Sequence, residues 1–122
     1  MFQGLRTVIY PVSDLAQATE WYSTLLGQAP YFDQPFYVGF TVGGFELGLD
    51  PNAPAATDGG PTAYWGVTDI DAAFARLRDL GASERSPIQD VGDGIRVAVL
   101  RDPFGNAIGI IDNPHFSLAS VR

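Results

Sequence analysis

Apolar and polar residues alternate from Leu5 to Val12, with Val8, Tyr10 and Val12 on one face and Thr7 and Ile9 on the other, which predicts a half-buried strand. The period then changes. Ser13-Asp14 offers an N-cap, and Leu15, Ala18, Tyr22 and Leu25 follow at helical spacing as one apolar stripe. Gly27 stands where a left-handed C-terminal cap is wanted. Phe36 to Val42 and Phe45 to Leu49 read as strands joined by a tight Gly43-Gly44 turn, and a further short strand fits near Tyr31. Pro51 to Pro61, rich in proline, glycine and alanine, has the composition of a loop or linker.

After the linker the pattern begins again. Thr62 to Val67 alternates, and Thr68-Asp69 offers a cap. Ile70, Ala73, Leu77 and Leu80 form a stripe with Phe74 beside it, and Gly81 closes the helix. Ile95 to Leu100 and Ala107 to Ile111 read as strands joined by the turn Asp102-Pro103-Phe104-Gly105-Asn106. The repetition extends to residues: Val12-Ser13-Asp14-Leu15-Ala16-Gln17-Ala18 returns 55 positions later as Val67-Thr68-Asp69-Ile70-Asp71-Ala72-Ala73. A module with one helix cannot bury its sheet alone, so two are expected side by side.

Composition narrows the picture. The 122 residues suit a single domain, and 46% apolar content is enough for a core. No apolar run approaches the roughly 20 residues that span a bilayer. Met1 to Arg6 runs into strand-like sequence without the basic and apolar regions of a signal peptide, so a cytoplasmic location is expected. The absence of cysteine agrees, and it excludes disulfides, thiolate metal sites and cysteine nucleophiles. A net charge of −7 argues against nucleic acid and anionic membranes as partners. The acidity either favours a cationic ligand or only maintains solubility.

The cap-helix segment Val67 to Ala73, the helix end Leu77-Arg78-Asp79-Leu80-Gly81-Ala82, the turn Arg101 to Asn106 and the pair Trp21-Tyr22 before Leu25-Leu26-Gly27 together resemble the vicinal oxygen chelate superfamily. That group includes glyoxalase I, extradiol dioxygenases, and fosfomycin- and bleomycin-resistance proteins. The resemblance runs from Leu5 to about Asn113. It implies an α+β fold of two tandem βαβββ modules, with curved mixed sheets around a cup. Module one would span about 5–50, the linker 51–61, module two about 62–112 and the tail 113–122.

Metal-dependent members place one ligand early in each module's first strand and one on each module's last strand. Carried onto this chain, those positions fall on Thr7 and Thr62, and on Glu46 and Gly109. Only Glu46 is an ordinary ligand for a divalent metal. The resemblance is therefore closest to the metal-lacking, bleomycin-resistance-like branch, and no metal or cofactor is expected. His115, the single histidine, follows the last strand; it is either a tail residue or a group reaching back into a cup. An iron triad of two histidines and a carboxylate is excluded within one chain.

Glu46 has two functional readings, a binder of amines or a general base with a raised pKa. Tyr31, Phe32, Phe36, Tyr37 and Phe40, with Tyr64, are candidate pocket walls, because aromatic faces suit planar or cationic ligands. Trp65, Trp21 and Tyr22 are expected to pack between helix and sheet, Asp14 and Asp69 to cap, and Asp102 to shape its turn. Arg96 is a candidate partner for an anionic ligand, and Arg101 a turn or surface charge. The expected ligand-binding set is thus Thr7, Ile9, Phe40, Glu46, Thr62, Tyr64, Arg96 and Gly109.

The leading expectation is a small-molecule-binding protein that holds an aromatic or cationic compound without metal. No nucleophile, base and oxyanion set is readable. The alternatives are a lyase, isomerase or dioxygenase-like enzyme using Glu46 in a non-standard or intersubunit site, and an interaction domain with an empty cup. Open sheet edges and the resemblance together suggest a homodimer.

Overall fold

In a computed structural model, which describes residues 2–54 and 61–117, the chain divides into two units, 1–60 and 61–122. In the first unit, β1 (Thr7–Pro11) leads through Asp14 into α1 (Leu15–Leu26). The Asp14 carboxylate accepts from the Gln17 backbone N–H at 3.0 Å, which satisfies one of the donors a helix start leaves unpaired. Gly27 ends the helix with φ 68°, and its N–H bonds back to the Ser23 carbonyl. β2 (Phe32–Gln34), β3 (Tyr37–Val42) and β4 (Phe45–Asp50) follow, and the sheet order is β1-β4-β3-β2.

β1 runs parallel to β4 and pairs Thr7 with Glu46 and Ile9 with Gly48; β3 runs antiparallel to β4 and pairs Thr41 with Glu46 and Gly39 with Gly48. Gly43 and Gly44 turn β3 into β4, both with positive φ (59° and 88°), as a two-residue hairpin loop requires. The apolar residues of one parity, Tyr10, Val38, Phe40, Leu47 and Leu49, are buried together with Ala18 and Tyr22 of α1. The rings of Tyr10 and Tyr22 lie 5.9 Å apart in this layer.

The second unit repeats the order: β5 (Tyr64–Gly66), α2 (Ile70–Asp79), β6 (Ser83–Asp90), β7 (Arg96–Arg101) and β8 (Ala107–Asp112), with sheet order β5-β8-β7-β6. Asp69 caps α2 by accepting from the Ala72 N–H at 3.1 Å. Ile70, Leu77, Ala98, Leu100, Ile108 and Ile110 are buried. The expected α+β fold of two tandem βαβββ modules is therefore the observed one.

One expected strand is corrected, and one strand is added that the sequence pattern does not reveal. β5 is shorter than the expected 62–67; Thr62 precedes it, while Val67 still donates to the Ile111 carbonyl at 2.9 Å. β6 carries no apolar alternation because it is the edge strand of its sheet and largely exposed. Its pairing with β7 slips between Glu84 and Ser86 and again between Ser86 and Gln89, an irregular edge that accommodates Pro87. Of the expected linker and tail, residues 55–60 and 118–122 lie outside the described residues. Among the described residues no helix is long and apolar enough to cross a membrane.

The turn between β7 and β8 is held from within. Asp102, only 3% exposed, accepts from the backbone N–H groups of Phe104 (2.9 Å) and Asn106 (2.7 Å) and from Asn106 Nδ2 (3.3 Å). Removing the carboxylate strands buried donors. Asp102→Ala is expected to cost about 1–3 kcal/mol in urea unfolding. A loss below about 0.5 kcal/mol, the range of an ordinary surface substitution, would contradict this reading of the turn.

Candidate functional site

Burial of Leu47 and Leu49 under α1 turns Glu46, Gly48 and Asp50 to the other face of the first sheet, since strand side chains alternate. The cross-strand pairs add Thr7 and Ile9 from β1 and Tyr37, Gly39 and Thr41 from β3 to that face. Phe32 joins it by pairing with Gly39, and the Tyr31 N–H bonds to the Gly39 carbonyl at 3.0 Å. Ile9, Tyr31, Phe32, Phe36, Tyr37, Glu46 and Asp50 line an open hollow of about 540 Å³.

Glu46 organises this face. Its Oε1 accepts from Thr7 Oγ1 at 2.8 Å and from Tyr37 Oη at 3.1 Å, and its Oε2 accepts from Tyr31 Oη at 2.5 Å. Hydrogen bonds to an ionised carboxylate favour the ionised form. The Tyr31 bond, then that of Thr7, holds Glu46 below the ordinary carboxylate range; partial burial opposes them, and Tyr37 adds to them. The Tyr31 hydroxyl is correspondingly raised by its bond to Glu46, and that of Tyr37 by burial first. The expectation of a general base with a raised pKa is thus corrected, because the donors outweigh burial and the shift is downward.

Phe32 stands 6.1 Å from Phe36 at 70° and 6.2 Å from Tyr37 at 57°, edge-on and tilted contacts that build one wall. Phe40, expected in the binding set, is corrected: it pairs with Leu47, is fully buried and belongs to the helix-side core. The residues that take its place are Tyr31, Phe32, Phe36 and Tyr37. The signal that finds them is parity counted outward from the Gly43-Gly44 turn, which sets Thr41 opposite Glu46 and puts Tyr37 on the Glu46 face.

In the second unit Tyr64 pairs with Gly109, and its ring covers that glycine: a Cβ on Gly109 would lie 2.6 Å from Tyr64 Cδ1. This corrects the assignment of Gly109 as the counterpart of Glu46. Tyr64 lies 55 positions after Ile9, and Ile9 pairs with Gly48, so Gly109 matches Gly48 and the counterpart of Glu46 is Ala107. Thr62 sits half-exposed ahead of β5.

Arg96 is also corrected. It makes a two-pronged contact with Asp71 at the start of α2, at 3.0 and 3.2 Å, on the same side of the sheet as buried Ala98 and Leu100. This pair lowers the Asp71 carboxyl and raises the guanidinium. His115 Nε2 donates to the Asp93 carbonyl at 2.8 Å, tying the tail to the turn between β6 and β7. The structure thus brings Thr7, Ile9 and Glu46 together in one unit and Tyr64 and Gly109 in the other.

A divalent metal wants imidazole and carboxylate donors. Around Glu46 stand hydroxyls and glycines, and the matching position in the second unit is Ala107. Among the described residues no group of three or more His, Asp or Glu is placed to hold a metal. These residues do not fit the metal of the metal-dependent superfamily members.

Residues 4–110 match the model of the Glyoxalase/Bleomycin resistance protein/Dioxygenase superfamily, and the chain belongs to that superfamily. It is 30% identical over 108 residues to "Putative glyoxylase CFP32" of Mycobacterium bovis, covering 80% of this chain and 41% of that protein. This chain therefore spans about two fifths of that relative's length. "Uncharacterized protein Mb0911c" of the same organism is 30% identical over 112 residues, covering 78% of this chain and 74% of that one. Among solved structures, a glyoxalase-related enzyme from Fulvimarina pelagi superposes with a TM-score of 0.73 at 21% identity, covering 93% and 90% of the two chains. Lactoylglutathione lyase from Agrobacterium tumefaciens gives 0.71 at 18%, covering 90% and 93%. At these identities the structural likeness is one of fold.

The lowered Glu46 carboxyl makes a pH prediction. A group depressed in the folded state stabilises the fold above its unfolded pKa, and that increment is lost as pH falls through the folded value. The stability difference between the protein and Glu46→Gln should be constant from pH 7 to about 5, then shrink below about pH 4. Urea unfolding across that range measures it. A difference that changes between pH 7 and 5 would place the titration too high and contradict the assignment.

Proposed function

We propose that this protein binds a small organic molecule, aromatic or cationic, on the open face of its first sheet, and that it does so without a metal. The observation that carries the reading is the orientation of Glu46 by the Thr7, Tyr31 and Tyr37 hydroxyls at the base of an aromatic-walled hollow. Aromatic walls favour flat or cationic bodies, and a fixed carboxylate favours positive charge. Open hollows with few polar groups suit orientation of a ligand.

A lyase or isomerase that uses Glu46 as its base would want that carboxyl raised toward neutrality. The three hydroxyl donors act in the opposite direction, which favours binding over proton abstraction. We place the protein in the cytoplasm, as a two-fold homodimer that covers exposed sheet edges.

Native mass spectrometry of protein purified without chelator tests these points together. The expected spectrum contains two chains, no stoichiometric zinc, nickel, manganese or iron, and an organic adduct when a library of aromatic amines is supplied. One tightly held metal per chain, lost in Glu46→Gln, would overturn the metal-free reading. A single chain at micromolar concentration would overturn the dimer.

A further inference from the structure

Two glycines face each other across β3 and β4, beneath the tyrosines that line the hollow. Gly39 and Gly48 are cross-strand partners. Neither has positive φ, so backbone conformation does not demand glycine there. Space does. A Cβ on Gly48 would lie 1.9 Å from Tyr37 Oη and 2.6 Å from its Cζ, and a Cβ on Gly39 would lie 2.8 Å from Glu46 Oε2 and 3.1 Å from Tyr31 Cε1. Real Cβ atoms do not approach heavy atoms that closely, so the Tyr37 hydroxyl and the carboxylate occupy the volume that side chains would fill. The missing side chains let both tyrosines lie low enough to reach Glu46.

The hydrogen-bond inventory of the hollow is one-sided. The hydroxyl protons of Thr7, Tyr31 and Tyr37 are already directed at Glu46. What those groups offer outward is lone pairs. An ionised carboxylate has about four acceptor sites, and three are taken, which leaves one on Oε2. Asp50 adds a second carboxylate to the lining. None of the lining side chains carries an N–H or a positive charge. A ligand that pairs with these acceptors must bring its own donors, and its body must suit the Phe32, Phe36 and Tyr37 rings.

Resting on the binding reading above, we infer that the ligand is a protonated amine bearing at least one N–H and an apolar or aromatic body, that Glu46 is its counter-ion, and that Gly48 and Gly39 are positioning residues that set the depth of the site. Carboxylates, phosphates and other anions are excluded from the hollow by like charge. Neutral ligands of the same shape lose the ion pair with Glu46 and keep at most a hydrogen bond to it.

The test uses 2-phenylethylamine, 2-phenylethanol and 3-phenylpropionate as probes at pH 7, with affinities from ligand-observed NMR. The amine is expected to bind about tenfold more tightly than the alcohol, a difference of about 1.4 kcal/mol, and the carboxylate not measurably. Glu46→Gln should reduce the amine to the level of the alcohol. Gly48→Ala should lower the amine-to-alcohol ratio several-fold by lifting Tyr37 from its place. Tyr31→Phe, at a ring that is 63% exposed, should lower the same ratio. Equal binding of amine and alcohol would overturn the amine inference while leaving the binding reading intact, and so would an amine preference that survives Glu46→Gln. Absence of binding by all three probes would overturn both. A full preference retained in Gly48→Ala would remove the positioning role of the glycines.

Discussion

Leu47 and Leu49 lie fully buried beneath α1, and the two-residue period of a strand then leaves Glu46 on the far face. A one-residue slip would exchange the two faces, placing a carboxylate in the core and two leucines in the hollow. The register is pinned at one side by the Gly43-Gly44 turn, which aligns β3, and at the other by the parallel pairing of Thr7 with Glu46. Core and site are therefore specified by the same constraint. The hydroxyl ring around Glu46 follows from it, since Thr7 is the residue directly opposite on β1 and Tyr37 is four residues before the Thr41 partner on β3.

The two units share element order and sheet order but differ at the positions that carry chemistry. In both, a glycine on the last strand accommodates a tyrosine ring: Tyr37 over Gly48 in the first, Tyr64 over Gly109 in the second. Only the first has a carboxylate two residues earlier, Glu46; the second has Ala107. Metal ligation in the superfamily draws on both modules, and here neither repeat supplies a donor set that fits one. Both units carry a glycine under a tyrosine ring, and only the first places a carboxylate beside it. Family membership and a fold this widely shared do not identify a reaction; the residues around Glu46 carry the functional reading.

Much of this was legible in the sequence because local signals and burial agreed. Asp14 and Asp69 read as caps and are caps, Asp102 read as a turn residue and is one, and the helical stripes through Tyr22 and Leu77 are the buried ones. The misreadings share a cause: pairing between strands decides them, and composition does not carry it. Phe40 is aromatic like its neighbours, yet parity turns it into the core while Tyr37 faces the hollow. Arg96 looked available to an anion, but α2 brings Asp71 across to it. The resemblance sets Gly109 beside Glu46, but the parallel pairing of β5 with β8 makes Ala107, two residues earlier, the match. β6 was invisible because an edge strand buries little and needs no alternation.

The site depends most on Glu46 being an ionised acceptor held by neutral hydroxyls. Carbon-13 NMR of side-chain carboxyl and tyrosine ring carbons, followed from pH 2 to pH 11, reads each group directly. The result predicted is a Glu46 titration below the ordinary carboxylate range, with the Tyr31 and Tyr37 hydroxyls losing their protons only above the ordinary tyrosine range. A Glu46 titration at or above the ordinary glutamate value would contradict the account, because the hydroxyls would then not be organised around its charge.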